Sequence, residues 1–275
     1  MEDKEILENL GKIEIREGKE RTIKSYVLRN NVLEEKEKEN VIKYMPKFGL
    51  FFKDEMLSYS DVFQNNNPTI VEIGFGNGET TAKMALIKPE FNYIGLEVYL
   101  KGFVQLLKTL GENDIDNVRI MRFNAVDVLE HMIPDNSVEG FHIFFPDPWP
   151  KKKHHKRRIM NPEFLHLLAT KLKKGGYIYM VTDWQEYADE VLELVKGEPL
   201  LMNPFYTFAP PVTWRPLTKF EQKGMDKDYV INVITAPEIE MLMQFPVKWN
   251  AFSDRNGMLF SGLTEWLSDT NGMAQ

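Results

Sequence analysis

Residues 69–97 read TIVEIGFGNGETTAKMALIKPEFNYIGLE, and the order of patterns in them sets the class of fold. Thr69 to Ile73 is a short apolar run of strand length. It breaks at Gly74-Phe75-Gly76-Asn77-Gly78, where residues without a Cβ let the backbone turn tightly and approach a ligand closely. Glu79 to Ile87 follows at helical spacing, and Tyr93 to Leu96 is a second strand. Downstream the alternation continues with a helix over Leu100 to Leu110, a strand over Val118 to Phe123, a helix from Ala125 and a strand over Val138 to Phe145. Asn161-Pro162-Glu163 then opens a helix with a cap residue, a first-turn proline and an acid at the positive dipole end. That helix runs to Lys173 and stops at Gly175-Gly176. A strand over Tyr177 to Thr182 and a helix over Trp184 to Val195 complete the series, with Tyr229 to Ile234 as one more strand. Strands alternating with helices at this spacing predict an α/β fold: a mainly parallel, Rossmann-like sheet with helices on both faces.

In such sheets ligands bind in the crevice beyond the carboxyl ends of the strands. Gly74–Gly78, Glu97, Asn124, Asp147 and Asp183 all fall at expected strand ends, so one site should collect them. The glycine spacing is G-x-G-x-G. It is neither the G-x-G-x-x-G that seats a pyrophosphate on a helix N-terminus nor a loop followed by Gly-Lys-Ser/Thr. Glu72, two residues before Gly74, would repel a phosphate and attract an ammonium or sulfonium group, which favours S-adenosylmethionine over NAD. Glu97 is placed to accept both hydroxyls of a ribose, a role open to an acid at this position with either cofactor. Asn124 could hydrogen-bond an adenine edge, although Asn is also common in turns.

The next strand ends in Phe144 to Arg158, FFPDPWPKKKHHKRR. Proline fixes its own φ and restricts the residue before it, so Asp147, between Pro146 and Pro148, sits on a stiff segment with Trp149 behind it. Six of the next eight residues after Pro150 carry permanent positive charge: Lys151, Lys152, Lys153, Lys156, Arg157 and Arg158. The chain as a whole has a formal net charge of -7. A polyanion would therefore meet a local basic patch, not a basic protein. The plainer reading of the run is a solvated face. His154 and His155 have no acidic or histidine partner at ligand spacing, so no metal is expected.

Asp183-Trp184-Gln185-Glu186 and Thr218-Lys219-Phe220-Glu221 both fit the capping box, a cap residue followed three later by Glu. Capping alone would account for both. Arg21, Lys24 and Arg29 lie among apolar residues in RTIKSYVLR, either as a solvated face or as a second polyanion contact.

At 275 residues, with 43% hydrophobic and 27% charged content, the chain is an ordinary globular protein. It has no cysteine, which excludes disulfides and thiolate metal sites and fits a cytoplasmic location. The start MEDKEILENL lacks an apolar leader segment, and no run approaches the roughly 20 apolar residues of a membrane span. Residues 1–64 read as an N-terminal extension and helical region packing on the core, its first twenty residues as a mobile tail or a loosely docked helix. Residues 65–235 read as the central domain and 236–275 as a tail with scattered aromatics.

Taken together, EIGFGNGE, GLEVY, NAVDVL, FFPDPWPKKKHHKRR, MVTDW and RPLTKFEQKG closely resemble, in that order, the bacterial tRNA (guanine-N7)-methyltransferases of the TrmB type. The likeness covers residues 20 to 235. It implies a class I methyltransferase fold and transfer of a methyl group from S-adenosylmethionine to guanine 46 of the tRNA variable loop, by a monomer or homodimer. It also implies that Glu72, Gly74, Gly76, Gly78, Glu97, Asn124 and Asp147 surround the cofactor and that Asp147 is catalytic. Lys151, Asp183, Thr218, Lys219, Phe220 and Glu221 would contact substrate, and Lys152, Lys153, Lys156, Arg157 and Arg158 the tRNA backbone. Two features depart from the family pattern: Gly224 runs quickly into Asp228-Tyr229, and the tail after Thr235 has no counterpart.

Guanine N7 carries an available lone pair, so its methylation needs no general base. Asp147 is then expected to position the base and stabilise developing positive charge. Trp149 is expected to shape the pocket, with stacking as one way of doing so. The rival readings are methylation of an exocyclic or amide nitrogen, a non-catalytic tRNA-binding subunit with the same fold, and a NAD-dependent oxidoreductase.

Overall fold

The computed structural model describes residues 2–15, 23–28, 32–205, 207–210, 212 and 215–237. Arg21, Arg29 and the expected tail beyond Pro237 lie outside them. The elements in order are α1 (Asp3–Leu10), α2 (Glu35–Phe48), β1 (Gly49–Leu50), α3 (Tyr59–Phe63), β2 (Thr69–Ile73), α4 (Glu79–Ile87) and β3 (Asn92–Glu97). They continue with α5 (Leu100–Glu112), β4 (Val118–Arg122), α6 (Ala125–His131), β5 (Val138–Phe144), a 3-10 helix (Lys152–Arg157), α7 (Pro162–Lys171), β6 (Leu172–Thr182), α8 (Gln185–Gly197), α9 (Lys219–Met225) and β7 (Asn232–Pro237).

The seven strands form one sheet in the order β1-β4-β3-β2-β5-β6-β7. All neighbours are parallel except β6 and β7. From β2 the chain steps outward to β3 and β4, then returns to place β5 on the other side of β2. That reversal opens a crevice beyond the carboxyl ends of β2 and β5, where the glycine turn and Asp147 both emerge. The pleat sends successive residues to opposite faces. Ile70, Tyr93 and Ile120 join the core beneath α1, α2, α4 and α5. Val71, Ile94 and Met121 join the core with α6, α7 and α8. Near the other edge Tyr179, Val181 and Val233 form a third cluster with Phe144 and Phe145.

Two expectations are corrected. α7 ends at Lys171, not Lys173, and β6 begins at once and runs through Gly175-Gly176. Gly175 has φ 78 and lies where the register shifts between the Val138–Leu172 and Gly140–Tyr177 pairs, so the glycines serve a bulge and not a helix stop. The last strand lies at Asn232–Pro237, later than Tyr229–Ile234. Of the two readings of the first residues, the docked helix is the one seen: Ile6, Leu10 and Ile13 are buried, and the carbonyls of Leu10 and Ile13 accept from the Arg122 guanidinium and the Asn124 backbone N–H, each at 2.6 Å. Within the expected N-terminal helical region, residues 35–48 form the 14-residue α2.

Candidate functional site

The glycine turn is shaped from behind and open in front. Gly74, Gly76 and Gly78 have φ of 78, 58 and 70, a region L side chains rarely adopt. A Cβ at Gly78 would run into Leu106, whereas at Gly74 or Gly76 it would meet nothing within 4 Å. The turn is held by Glu97, which ends β3. Its carboxylate accepts from the backbone N–H groups of Gly76 at 2.7 Å, Val98 at 2.7 Å and Tyr99 at 2.9 Å. Burial raises the Glu97 carboxyl above its ordinary pKa range, while those backbone donors oppose the rise. Glu72, on β2 beneath the turn, is only 3% exposed. Burial pushes its carboxyl up to about 7, with the Thr81 hydroxyl opposing and the Glu97 charge adding to the shift.

A cavity of about 210 Å³ lies in the crevice and is lined by Gly74, Glu97, Asn124 and Asp147, with Ser25 and Tyr26 across from them. A smaller one of about 80 Å³ is lined by Glu72, Gly76, Gly78, Thr218, Lys219 and Phe220. The two share Gly74, Phe144 and Phe145, so they adjoin beneath the segment that carries Asp147. Strand ends far apart in sequence thus converge, except that Asp183, expected among them, lines neither cavity. Asn124 is partly committed elsewhere. It caps α6, accepting from Val126 N–H at 3.3 Å, and donates to buried Asp127 at 3.2 Å.

The Asp147 segment is bent on both sides. Phe145 has φ 51 and Trp149 φ 45, and left-handed non-glycine residues cost about 1–3 kcal/mol each unless the surroundings enforce them. Here they do. Phe145 N–H donates to the Val181 carbonyl at 2.8 Å, and the Trp149 indole N–H donates to the Ser25 carbonyl at 3.2 Å. Arg157 lies over the Trp149 ring at 4.2 Å and donates to the carbonyls of Lys24 and Tyr26, both at 3.0 Å. One face of the Trp149 ring is thereby covered by a guanidinium, and its indole N–H is committed to the clasp on residues 24–26. Lys24 itself pairs with Glu14 at 2.7 Å.

The basic run divides by exposure. Lys151, Lys152, Lys153 and Lys156 are exposed. Arg158 is 2% exposed, donates to the Pro148 carbonyl at 2.9 Å and pairs with Glu190. It has no surface to offer a phosphate. Arg157 is half-buried in its clasp. The expectation that all five residues meet the tRNA backbone is corrected for Arg158, because its charge is neutralised inside the protein.

The two capping-box candidates also part. Thr218 caps α9 as expected: its hydroxyl accepts from Glu221 N–H at 3.0 Å while Glu221 accepts from Thr218 N–H at 3.3 Å. At α8 the cap position is Trp184, with no side-chain cap, and the Asp183 carboxylate instead lies beside Gly224 of α9. Thr218 and Glu221 are buried, leaving Lys219 and Phe220 as the outward-facing pair of their motif. Lys219 reaches Glu79 at the start of α4 at 2.6 Å. Sequence reading missed Arg215, Phe145 and the strap at Ser25–Tyr26. Only the capping box near Arg215 gave a local hint, since its partner Glu221 lies within it.

A family model described as a putative methyltransferase matches residues 66–233, from just before β2 into β7. The tRNA (guanine-N(7)-)-methyltransferase of Methylobacillus flagellatus is 46% identical over 219 residues, covering 79% of this chain and 91% of that protein. Its counterpart from Nitrosospira multiformis is 44% identical over 205 residues, covering 74% and 90%. This chain belongs to the tRNA (guanine-N7)-methyltransferase family. In this member of that family, the sheet order with its reversed last strand is the class I methyltransferase arrangement. An open glycine turn, a carboxylate at the end of β3 and a buried acid beneath the turn stand together at the carboxyl ends of its strands. As a tRNA (guanine-N7)-methyltransferase the chain stands apart from the oxidoreductase reading that its glycine turn shares in part.

Proposed function

We propose that this S-adenosylmethionine-dependent methyltransferase methylates N7 of guanine 46, in the variable loop of tRNA, in the cytoplasm, and that Asp147 is its principal catalytic residue. The observation that carries the reading is the meeting of Gly74, Glu97, Asn124 and Asp147 around one cavity at the point where the sheet order reverses. Bound cofactor supplies an electrophilic methyl group on a sulfonium. Glu97 is placed to take the ribose hydroxyls, Gly74 and Gly76 leave space for close backbone approach, and Glu72 provides negative charge beneath a cationic ligand.

N7 needs no deprotonation, so Asp147 works by position and charge. A carboxylate on a segment fixed at both ends costs little to reorganise as positive charge moves onto the purine. Lys151, Lys152, Lys153 and Lys156 hold tRNA phosphates, with Asp183 and Lys219 on the substrate side. These contacts give affinity and register more than base choice.

The test is incubation with unmodified tRNA and methyl-labelled cofactor, followed by nucleoside analysis and mapping of the label. 7-Methylguanosine confined to position 46 is expected. Label on an exocyclic amine, or at a guanine outside the variable loop, would remove the reading.

A further inference from the structure

Glu97, the acid that ends β3, has a cation beside it that lines neither cavity. Arg122 ends β4 and is the Cα partner of Glu97 across the β3–β4 ladder. Partners in register send their side chains to the same face of a sheet, so guanidinium and carboxylate leave adjacent strands together. Arg122 is also where the first residues of the chain reach the sheet. It donates to the carbonyl of Leu10, the last residue of α1, at 2.6 Å. Its Nε–H is buried and makes no hydrogen bond.

The bond to Leu10 needs a donor and, at a helix end, gains modestly from a cation. It does not need a place beside an acid. Glu97 does need a cation. Burial raises its carboxyl, and the backbone N–H groups and then the Arg122 charge oppose the rise. Burial lowers the Arg122 guanidinium, and the Glu97 charge opposes that. The other groups facing the pair are Glu72 on β2, which repels an ionised Glu97, and Tyr26, itself beside Glu14 and Asp127. Arg122 is thus the one cation set against the acids in this corner. A carboxylate accepts through both oxygens, whereas a protonated carboxyl turns one of them into a donor. Taking both hydroxyls of a ribose calls for the carboxylate.

We propose that Arg122 is a positioning residue for the cofactor: tethered by Leu10, it supplies the charge that keeps Glu97 a two-oxygen acceptor for the ribose. This inference rests on the reading of Glu97 as the ribose acid. Arg122 acts through Glu97 and does not itself meet the cofactor. The docked helix α1 thereby takes part in cofactor binding, by holding the guanidinium in place.

The test is calorimetric affinity for S-adenosylmethionine in the full-length protein and its variants, with thermal melts to show that each is folded. Arg122→Gln can still donate to Leu10 but carries no charge, while Arg122→Lys keeps the charge. Binding should weaken about tenfold in Arg122→Gln and stay within about threefold of wild type in Arg122→Lys, as withdrawal of one close opposite charge implies. Glu97→Gln should itself weaken binding. Adding Arg122→Gln to Glu97→Gln should then cost nothing further, because a residue that acts through Glu97 has nothing left to act on. An Arg122→Gln variant that binds like wild type, an Arg122→Lys variant as weak as Arg122→Gln, or losses that multiply in the double variant each overturn the proposal and leave Arg122 a tether for α1. A Glu97→Gln variant that binds like wild type overturns the ribose reading, and the proposal with it.

Discussion

Arg215 holds Glu221 in a bidentate pair, its two terminal nitrogens 2.6 and 2.9 Å from the carboxylate oxygens, with both side chains buried. Arg215 also donates to the Tyr179 hydroxyl at 3.2 Å, so the pair fastens α9 to the face of β6. Removing one partner leaves the other charge buried and alone, at about 3–5 kcal/mol. Glu221→Ala should therefore lower the urea midpoint strongly. The double variant Arg215→Met with Glu221→Leu should recover most of that stability, since an apolar pair of similar volume removes the uncompensated charge. Denaturation of the two proteins checks this, and a double variant no more stable than the single one would count against a buried ion pair.

Asp147 should be separable from binding. Asp147→Asn keeps the shape of the bent segment and removes the charge. Methyl transfer should fall about 100- to 1000-fold, the scale for removing one preorganised electrostatic interaction. Gel-shift affinity for tRNA should stay near that of wild type. Unchanged turnover would take Asp147 out of the mechanism.

Exposure sorts the basic run into two kinds of residue. Charge reversal at Lys152 or Lys156 should weaken tRNA binding across sequences and reduce the salt slope by about one for each phosphate no longer neutralised. Arg158→Lys should leave the slope alone and lower stability instead, because its partners are Pro148 and Glu190. Binding isotherms at several salt concentrations decide between these outcomes.

Glu72 should make stability and cofactor affinity respond to pH in opposite directions. With its carboxyl pushed up to about 7 by burial, folding carries no penalty while the group is protonated in both states. Stability then declines as pH rises from the ordinary carboxylate range to about 7 and is level above it. Glu72→Gln should abolish that decline, a difference of about 3 kcal/mol at most. Affinity for the cationic cofactor should rise between pH 6 and 8 in the wild type and stay flat in the variant. Thermal melts and calorimetry across this range provide the check.

The central elements were legible because their signals are local. Glycines bound β2, Asn161 and Pro162 start α7, and apolar runs mark β3 to β5. Gly175-Gly176 misled because a left-handed glycine serves a helix end and a β-bulge equally well; only pairing with β5 tells them apart. Asp183 and Thr218 share one pattern, yet only Thr218 is the residue from which its helix actually departs. Arg157 and Arg158 find their partners at Lys24, Tyr26 and Glu190, too far along the chain for spacing to reveal. Glu97 and Asp147 were readable together because topology brings their strand ends to one cavity, whereas Asp183, read by the same rule, lines neither cavity.

Three consecutive carbonyls, of Lys24, Ser25 and Tyr26, are taken by Trp149 and Arg157. The segment that lines the larger cavity and the bend that carries Asp147 therefore brace each other across more than a hundred residues of sequence. A fragment starting after Leu28 would retain all seven strands, yet Trp149 and Arg157 would lose the acceptors that hold them. Amide exchange around Asp147 should then quicken while the sheet stays protected, so an intact fold would not guarantee an intact site.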